Sequence, residues 1–180
     1  MFTQSYIEQL QKMHNSARRP RGFGGSMKNL GEIEIFLKKW KPHSILDYGC
    51  GKGVIAAYLR DQYPDSKVDG YDPAVPIYKE APNKPYECIV CIDVLEHIEP
   101  AYIHEVLDHI NTLSNKYIWL RIDTIPARKF LDDGRNAHLL LHDKEWWTDL
   151  LSRKINGTIV YNTLTRKGKI DIAIEKNDTR

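Results

Sequence analysis

The sequence lacks most features of secreted and membrane proteins. It has only three cysteines, Cys50, Cys88 and Cys91. An odd and small number of cysteines argues against a disulfide framework and favours a reducing compartment. No apolar run approaches the roughly 18 residues of a membrane span, and the first residues show no basic segment followed by an apolar one. We therefore expect a cytoplasmic protein with no membrane partner.

An excess of charge of one sign is also lacking. The 26 Lys and Arg residues face 24 Asp and Glu, for a formal net charge of +2, so no strong field is available to grip a phosphate backbone. The chain has 180 residues, no internal repeat and no low-complexity tract, which fits a single domain over residues 1–180. Within it, residues 1–26 are expected to form a helix and a loop rich in Gly and Arg that act as a lid. The arginines of that loop either contact an anionic acceptor or are simply solvated. They are Arg18, Arg19 and Arg21.

Short apolar runs alternate with helical patterns along most of the chain. The spacing predicts strands at 44–48, 67–71, 88–92 and 117–122, and helices at 3–14, 26–40, 54–63, 100–113 and 143–153. Two further runs, 158–164 and 169–175, predict a hairpin. This order implies parallel βαβ units. The expected fold is a three-layer α/β/α sandwich with a doubly wound, mostly parallel sheet and a C-terminal antiparallel hairpin.

The most informative stretch is ILDYGCGKG at 45–53, where the first predicted strand passes into a helix. A P-loop is excluded because Lys52 precedes the last glycine and Leu46 stands at the first glycine position. A dinucleotide fingerprint from Gly49 needs Gly or Ala at 54, where Val54 stands. The remaining pattern is D-x-G-x-G-x-G, with Asp47 at the strand end.

Two acidic residues narrow the expected ligand. A carboxylate at Asp47 is poor for a pyrophosphate and good for a cationic amine. Asp72 ends the next strand, 23 residues beyond Gly49, where a carboxylate can accept both ribose hydroxyls. A ligand with a ribose, no phosphate and an amino-acid tail suits both acids, which predicts S-adenosylmethionine as the cofactor.

Three motifs together resemble the class I S-adenosylmethionine-dependent methyltransferases: LDYGCGKG at 46–53, GYDP at 70–73 and CIDVLEHI at 91–98. The resemblance implies that the glycines line the methionine portion of the cofactor, that Asp47 approaches its amino group and that Asp72 holds the ribose. It also implies that 93–97 forms the loop beside the sulfonium and the acceptor. The cofactor-binding residues expected on this basis are Asp47, Gly49, Gly51, Gly53, Asp72, Pro73, Asp93 and Val94.

A narrower resemblance is to small bacterial and phage-type methyltransferases, through FGGS at 23–26, YDPAVP at 71–76 and DGRNAH at 133–138. That group says little about the acceptor. The class I family usually has a third strand followed by an acid that faces the adenine. Here 77–86 predicts no clear strand, so Asn83 and Glu87 are only candidates for that contact.

Histidines and cysteines supply the candidates for chemistry. His97 and His138 are predicted as the catalytic pair that orients or deprotonates an acceptor, although each can instead pack its loop. Cys88 and Cys91 form C-x-x-C, but residues three apart on a strand face opposite ways, so both are expected to be buried. His104 and His109 have poor chelating spacing and no H-E-x-x-H occurs. We expect solvated histidines there and no metal.

The predicted function is methyl transfer to an O or N acceptor. The segment after the third strand, Asp-Val-Leu-Glu at 93–96, differs from the D/N/S-P-P-Y/F loop of amino-directed DNA methyltransferases, and no Pro-Cys nucleophile is present. A small molecule such as a sugar or metabolite is therefore preferred over nucleic acid, with the protein a monomer or homodimer. The alternatives are a non-catalytic S-adenosylmethionine-binding regulatory or partner module and, more weakly, a nicotinamide-dependent oxidoreductase.

Overall fold

The computed structural model of the chain describes residues 2–15 and 30–177. Within these ranges the helices are α1 Gln4–Asn15, α2 Gly31–Trp40, α3 Val54–Gln62, α4 Ile103–Leu113 and α5 Lys144–Lys154. The strands are β1 Ser44–Tyr48, β2 Lys67–Tyr71, β3 Tyr86–Ile92, β4 Ser114–Asp123, β5 Gly157–Leu164 and β6 Lys169–Lys176. Short 3-10 helices lie at Pro76–Tyr78, Leu95–His97 and Pro100–Tyr102.

The six strands form one sheet in the order β2-β1-β3-β4-β6-β5. The strands β2, β1, β3 and β4 are parallel, and β6 runs antiparallel to both β4 and β5. The predicted α/β fold with a C-terminal antiparallel hairpin is confirmed. The segment 77–86, predicted to contain no clear strand, has none before Tyr86, the first residue of β3.

Apolar side chains cover both faces of the sheet and form two cores. Helices α4 and α5 pack on one face, and α2 and α3 pack on the other. From Cys88 to Ile92 the central strand β3 is a continuous apolar run, because this part is buried on both sides. Cys91 belongs to the first core and Cys88 to the second, and both are buried free thiols. The prediction that they face opposite ways is confirmed.

The helix ends follow local chemistry. Asp143 precedes α5, and its Oδ1 accepts a hydrogen bond from the Trp146 N–H at 2.8 Å, which is a standard N-cap. Helix α2 ends before Lys41, which has a φ of 48° and is followed by Pro42. The first residues of the helix predicted over 26–40, from Ser26 to Asn29, and the arginine-containing loop before them lie outside the described residues.

Helix α1 lies across the carboxyl edge of the sheet. The Tyr6 hydroxyl donates to the His97 carbonyl, and Gln9 Nε2 donates to Asp133 Oδ2 at 3.0 Å. These bonds tie α1 to the loop after β3 and to the loop after β4. Among the described residues, no helix is long and apolar enough to cross a membrane.

Candidate active site

A large cavity opens at the carboxyl ends of the parallel strands. Its volume is about 1080 Å³, and its walls come from α1, the glycine turn after β1, the loop after β3 and the segment 123–138. Open α/β sheets bind ligands at this edge. The predicted residues that line it are Asp47, Gly49, Asp72, Pro73, Asp93, Val94, His97 and His138. Gly51 and Gly53 are not among its lining residues.

The glycine turn brings two loops into close contact. Gly49 has a φ of 76°, and its N–H donates to the Tyr71 carbonyl at 2.7 Å. A Cβ on Gly49 would overlap the Val94 side chain from the loop after β3. Gly53, with a φ of 72°, meets the Tyr78 ring in the same way. The turn therefore needs glycine for its backbone conformation and for the space around it.

Asp47 lies at the end of β1 and is almost fully buried. Its Oδ2 accepts a hydrogen bond from the Ala56 N–H, in the first turn of α3, at 3.0 Å. Burial raises the pKa of Asp47 to about 7, although the Ala56 N–H opposes the shift. A cationic group beside this carboxylate would favour its ionised form.

Asp72 is also buried, but backbone N–H groups satisfy both of its oxygens. Oδ2 accepts from the Gly51 N–H and Oδ1 from the Ala74 N–H, each at 2.9 Å. A carboxylate oxygen can accept more than one hydrogen bond, so the held carboxylate can still accept from hydroxyl groups in the cavity. From α1, His14 Nε2 approaches Oδ2 to 4.0 Å.

The loop after β3 starts with a strained residue and an ion pair. Asp93 has a φ of 54°, and its N–H donates to the Arg121 carbonyl at 2.9 Å. Lys169 Nζ, from β6, lies 2.7 Å from Asp93 Oδ1 and 3.2 Å from Asp123 Oδ2. Lys169 was not predicted as part of the site, because β6 is distant in sequence from this loop.

The two predicted catalytic histidines lie side by side. The ring centroids of His97 and His138 are 4.7 Å apart. His97 Nδ1 is 2.7 Å from the Ala137 carbonyl oxygen, and His138 Nδ1 is 2.6 Å from that of Ile125. A carbonyl only accepts, so each Nδ1 carries a proton, and in the neutral form of either ring the lone pair is on Nε2.

Burial, reinforced by the His138 ring, lowers the pKa of His97 to about 4. His97 is therefore neutral at physiological pH. A neutral imidazole with its lone pair on Nε2 is suited to accept a proton or to bind a cation.

Glu96 is a further member of the site that the sequence analysis missed. Its side chain is 0% exposed, and neither oxygen has a hydrogen-bond partner of normal geometry among the described residues. Burial, with Asp93 nearby, raises its pKa well above the usual value. The available signal was a charged residue inside the apolar run V-L-E-H-I at 94–98.

A family model described as a methyltransferase domain matches residues 26–166. The chain belongs to this methyltransferase family. The match confirms the resemblance on which the sequence prediction of an enzyme of this class was based. Among curated proteins, none matches the sequence.

Solved structures agree with this methyltransferase at the level of the fold. Magnesium protoporphyrin IX methyltransferase from Synechocystis PCC 6803, solved with bound S-adenosylmethionine, has a TM-score of 0.67 at 16% identity, with 96% of this chain and 97% of that chain covered. The 1,6-didemethyltoxoflavin-N1-methyltransferase of Burkholderia thailandensis, solved with S-adenosylhomocysteine, has a TM-score of 0.68 at 16% identity, with coverage of 97% and 90%. The cofactor predicted from the sequence is therefore the one bound in a structural neighbour.

Some residues considered in the sequence lie away from the methyltransferase site. Asn83 is exposed in the loop before β3. Glu87 lies at the amino ends of the strands, where it pairs with Lys116 at 2.7 Å and accepts from the His43 N–H. Neither lines the cavity, so neither is positioned to contact a cofactor bound there.

The prediction that His104 and His109 are both solvated is confirmed for only one of them. His104 is exposed, but His109 packs edge-on against Tyr48 and Tyr71, with Nδ1 3.0 Å from the Tyr48 hydroxyl. The prediction for His109 is wrong because the large β1 and β2 side chains reach the flank of α4, which helical spacing alone does not reveal.

Proposed function

We propose that this methyltransferase moves a methyl group from S-adenosylmethionine to an O or N acceptor on a small molecule such as a sugar or metabolite. The observation that carries the proposal is the pair of buried carboxylates, Asp47 and Asp72, which line one cavity together with Gly49. Their chemistry fits the cofactor, which has an ammonium and a ribose diol but no phosphate.

Each carboxylate has a part in this binding mode. Asp47 binds the ammonium group, which compensates for the cost of ionising a buried carboxyl. Asp72 accepts from the ribose hydroxyls, with its oxygens held by the N–H groups of Gly51 and Ala74. Pro73, Asp93 and Val94 complete the walls of the cofactor end of the cavity, and Gly49 allows the backbone to approach closely.

When bound, S-adenosylmethionine supplies an electrophilic methyl group on its sulfonium. The residues of this chain align the acceptor with that methyl group, and such alignment can remove roughly 7–11 kcal/mol of barrier. For a hydroxyl acceptor, Nε2 of His97 or His138 accepts the proton and contributes about 10²–10⁴-fold to the rate. The carbonyls of Ala137 and Ile125 hold the two rings in the tautomer that this requires.

Helix α1 acts as a lid over the bound cofactor in this proposal. Tyr6, Leu10, Met13 and His14 line the cavity from α1. The Tyr6 and Gln9 hydrogen bonds hold it against the loops that carry the histidines. A lid of this kind excludes water from the reacting groups. The single domain 1–180 then contains both the cofactor site and the acceptor site.

The small-molecule acceptor is supported by the structural neighbours and by the size of the cavity. One neighbour is named for magnesium protoporphyrin IX and the other for 1,6-didemethyltoxoflavin, both small molecules. The volume of about 1080 Å³ is at the upper end of ligand pockets, which hold about 300–1000 Å³. It gives room for a second molecule beside the cofactor.

The first test is calorimetric titration of the full chain with S-adenosylhomocysteine and, separately, with NAD. We expect binding of the first and none of the second. Asp72→Ala should weaken S-adenosylhomocysteine binding at least tenfold, because the ribose contact is lost, and the exposed Asp65→Ala should not change it. Binding of NAD alone would reject the proposal, and an unchanged affinity in Asp72→Ala would reject the ribose contact.

The second test is a screen of small-molecule extracts with S-adenosylmethionine labelled on the methyl group. We expect label in a low-molecular-weight product that disappears with Asp72→Ala. Cofactor binding with no labelled product, together with a stable complex with a second protein, would favour the non-catalytic module instead.

A further inference from the structure

The starting observation is a buried carboxylate that lacks a partner. Glu96 lies on the short 3-10 helix Leu95–His97 and is completely shielded from solvent, yet neither of its oxygens has a hydrogen-bond partner of normal geometry among the described residues. Burying a carboxylate without a partner costs free energy. The other buried carboxylates of the cavity, Asp47 and Asp72, both accept backbone hydrogen bonds. Glu96 differs from them and is left for a ligand.

Two imidazoles adjoin this carboxylate. One potential ligand atom from each of Glu96, His97 and His138 lies within 4.8 Å of the others. Both histidines donate Nδ1–H to backbone carbonyls, from Ala137 and Ile125. This is the arrangement that fixes the tautomer and orientation of metal-binding histidines, whose other nitrogen then binds the ion.

We propose that Glu96, His97 and His138 form a binding site for a divalent first-row metal ion. Imidazole nitrogen suits zinc, iron, cobalt and nickel, and two imidazoles with one carboxylate are a common ligand set for such ions. This replaces the expectation from the sequence that no metal is bound. The sequence analysis considered the spacing of His104 and His109 as metal ligands, whereas the histidines that the fold brings together are His97 and His138.

The charges around the site favour a cation. Asp93 and Asp123 share the single ammonium of Lys169. Glu96 lines the same cavity as Asp93 and Asp123. A divalent ion bound by Glu96 and the two imidazoles would add positive charge beside this group of carboxylates.

The site lines the same cavity as the proposed cofactor residues. Three protein ligands leave coordination positions open, and a bound ion can lower the pKa of a coordinated hydroxyl. With the ion bound, Nε2 of His97 and of His138 is a metal ligand instead of a proton acceptor, and the acceptor class that fits is a hydroxylated small molecule whose oxygen binds the ion. This last step rests on the proposed function, whereas the metal site itself rests only on the geometry of its three ligands.

The test is direct metal binding by the full chain after treatment with EDTA and removal of the chelator. Cobalt(II) is titrated and followed by its visible absorption, and zinc(II) is titrated by calorimetry. Glu96→Gln and His138→Gln each remove a ligand, and His104→Gln, which changes an exposed histidine on α4, is the matched control. Circular dichroism of the metal-free variants checks that each one folds.

We expect one cobalt ion per chain in the unchanged protein and in His104→Gln, with the same affinity. Binding should be at least tenfold weaker in both ligand variants, and zinc should raise the Tm of only the first two proteins. Failure of the unchanged protein to bind either metal would overturn the site, as would equal affinity in the ligand variants and the control. If Glu96→Gln does not fold, His138→Gln alone decides.

Failure of this site and failure of the proposed function give different results. Metal binding without binding of S-adenosylhomocysteine would keep the metal site and reject the methyltransferase proposal. Binding of S-adenosylhomocysteine without binding of metal would keep the methyltransferase proposal and reject the metal site. If both bind, loss of labelled product after EDTA treatment, with cofactor affinity unchanged, would support the part of the ion in acceptor binding, and full activity without metal would reject it.

Discussion

The two ends of the cavity differ in the hydrogen bonds that their buried carboxylates accept. At the glycine turn, Asp72 is held by two backbone N–H groups at 2.9 Å each. At the loop after β3, Glu96 is more deeply buried, and neither of its oxygens has a hydrogen bond of normal geometry among the described residues. At the first end, the turn itself supplies the donors. At the second end, the carboxylate lies beside two oriented histidines, and these three groups are the proposed metal ligands.

The largest expected effect on stability is at another buried carboxylate, which forms an ion pair. Asp171 on β6 pairs with Arg121 on β4 through two hydrogen bonds, of 2.6 and 3.0 Å. Asp171→Ala removes the carboxylate that pairs with the buried Arg121 guanidinium, and we expect the free energy of unfolding to fall by about 3–5 kcal/mol. Urea denaturation measures this change. Asp149→Ala, in the exposed pair with Arg153, should have little effect. Equal effects would show that burial does not govern the cost of losing a carboxylate here.

The next largest effect is expected at the glycine turn. Gly49 and Gly134 both have positive φ, 76° and 85°, so alanine is strained at both, at a cost of about 1–2 kcal/mol. Only at Gly49 does a Cβ also overlap a neighbour, Val94, whereas Gly134 has open space. Gly49→Ala should therefore lower the Tm more than Gly134→Ala. It should also weaken S-adenosylhomocysteine binding at least tenfold by calorimetry. Equal decreases in Tm for the two variants would mean that the overlap with Val94 adds no cost to the strained backbone conformation.

Asp47 gives a pH-dependent prediction at the cofactor end. Burial raises its pKa to about 7 in the folded protein, so between about pH 4 and pH 7 the folded state holds a proton that the unfolded state has lost. Stability from this group therefore falls as pH rises through that range, and Asp47→Asn should remove the fall. Denaturation at a series of pH values measures it.

The same group predicts proton release on cofactor binding. The ammonium of S-adenosylhomocysteine favours the ionised carboxylate, so binding at pH 7 should release a fraction of a proton from Asp47. Calorimetry in buffers of different ionisation enthalpy measures that fraction. No dependence on buffer, or the same dependence in Asp47→Asn, would place the ammonium elsewhere.

The smallest effect concerns the contact that joins α1 to the histidine end. Tyr6→Phe removes the hydrogen bond to the His97 carbonyl, which should lower the free energy of unfolding by about 0.5–1.5 kcal/mol. It should also speed hydrogen exchange in α1. Tyr63→Phe, remote from the cavity, is the control. If exchange in α1 is unchanged, this hydrogen bond does not hold the helix in place.

The residues of the glycine turn and its two carboxylates could be predicted from the sequence because they lie at the ends of strands, whose apolar pattern is local. The turn at 49–53 follows β1 and Asp72 follows β2, whereas the hydrogen bond between Gly51 and Asp72 joins residues 21 apart. The periodicity of the apolar residues placed β1 and β2 at their observed bounds for the same reason. His97 and His138 were named as candidates, but nothing in the pattern indicated that their rings would meet.

The sequence by itself determined the order of strands and helices along the chain, the C-terminal hairpin, and the glycine turn with its two carboxylates. These follow from residue periodicity and from the backbone freedom of glycine, which act over a few residues. The tertiary structure decided where α1 lies, the burial of the Arg121–Asp171 pair, and the meeting of Glu96, His97 and His138. Those depend on the packing of segments about 40 residues or more apart, and no local pattern encodes which loops come together at the edge of the sheet.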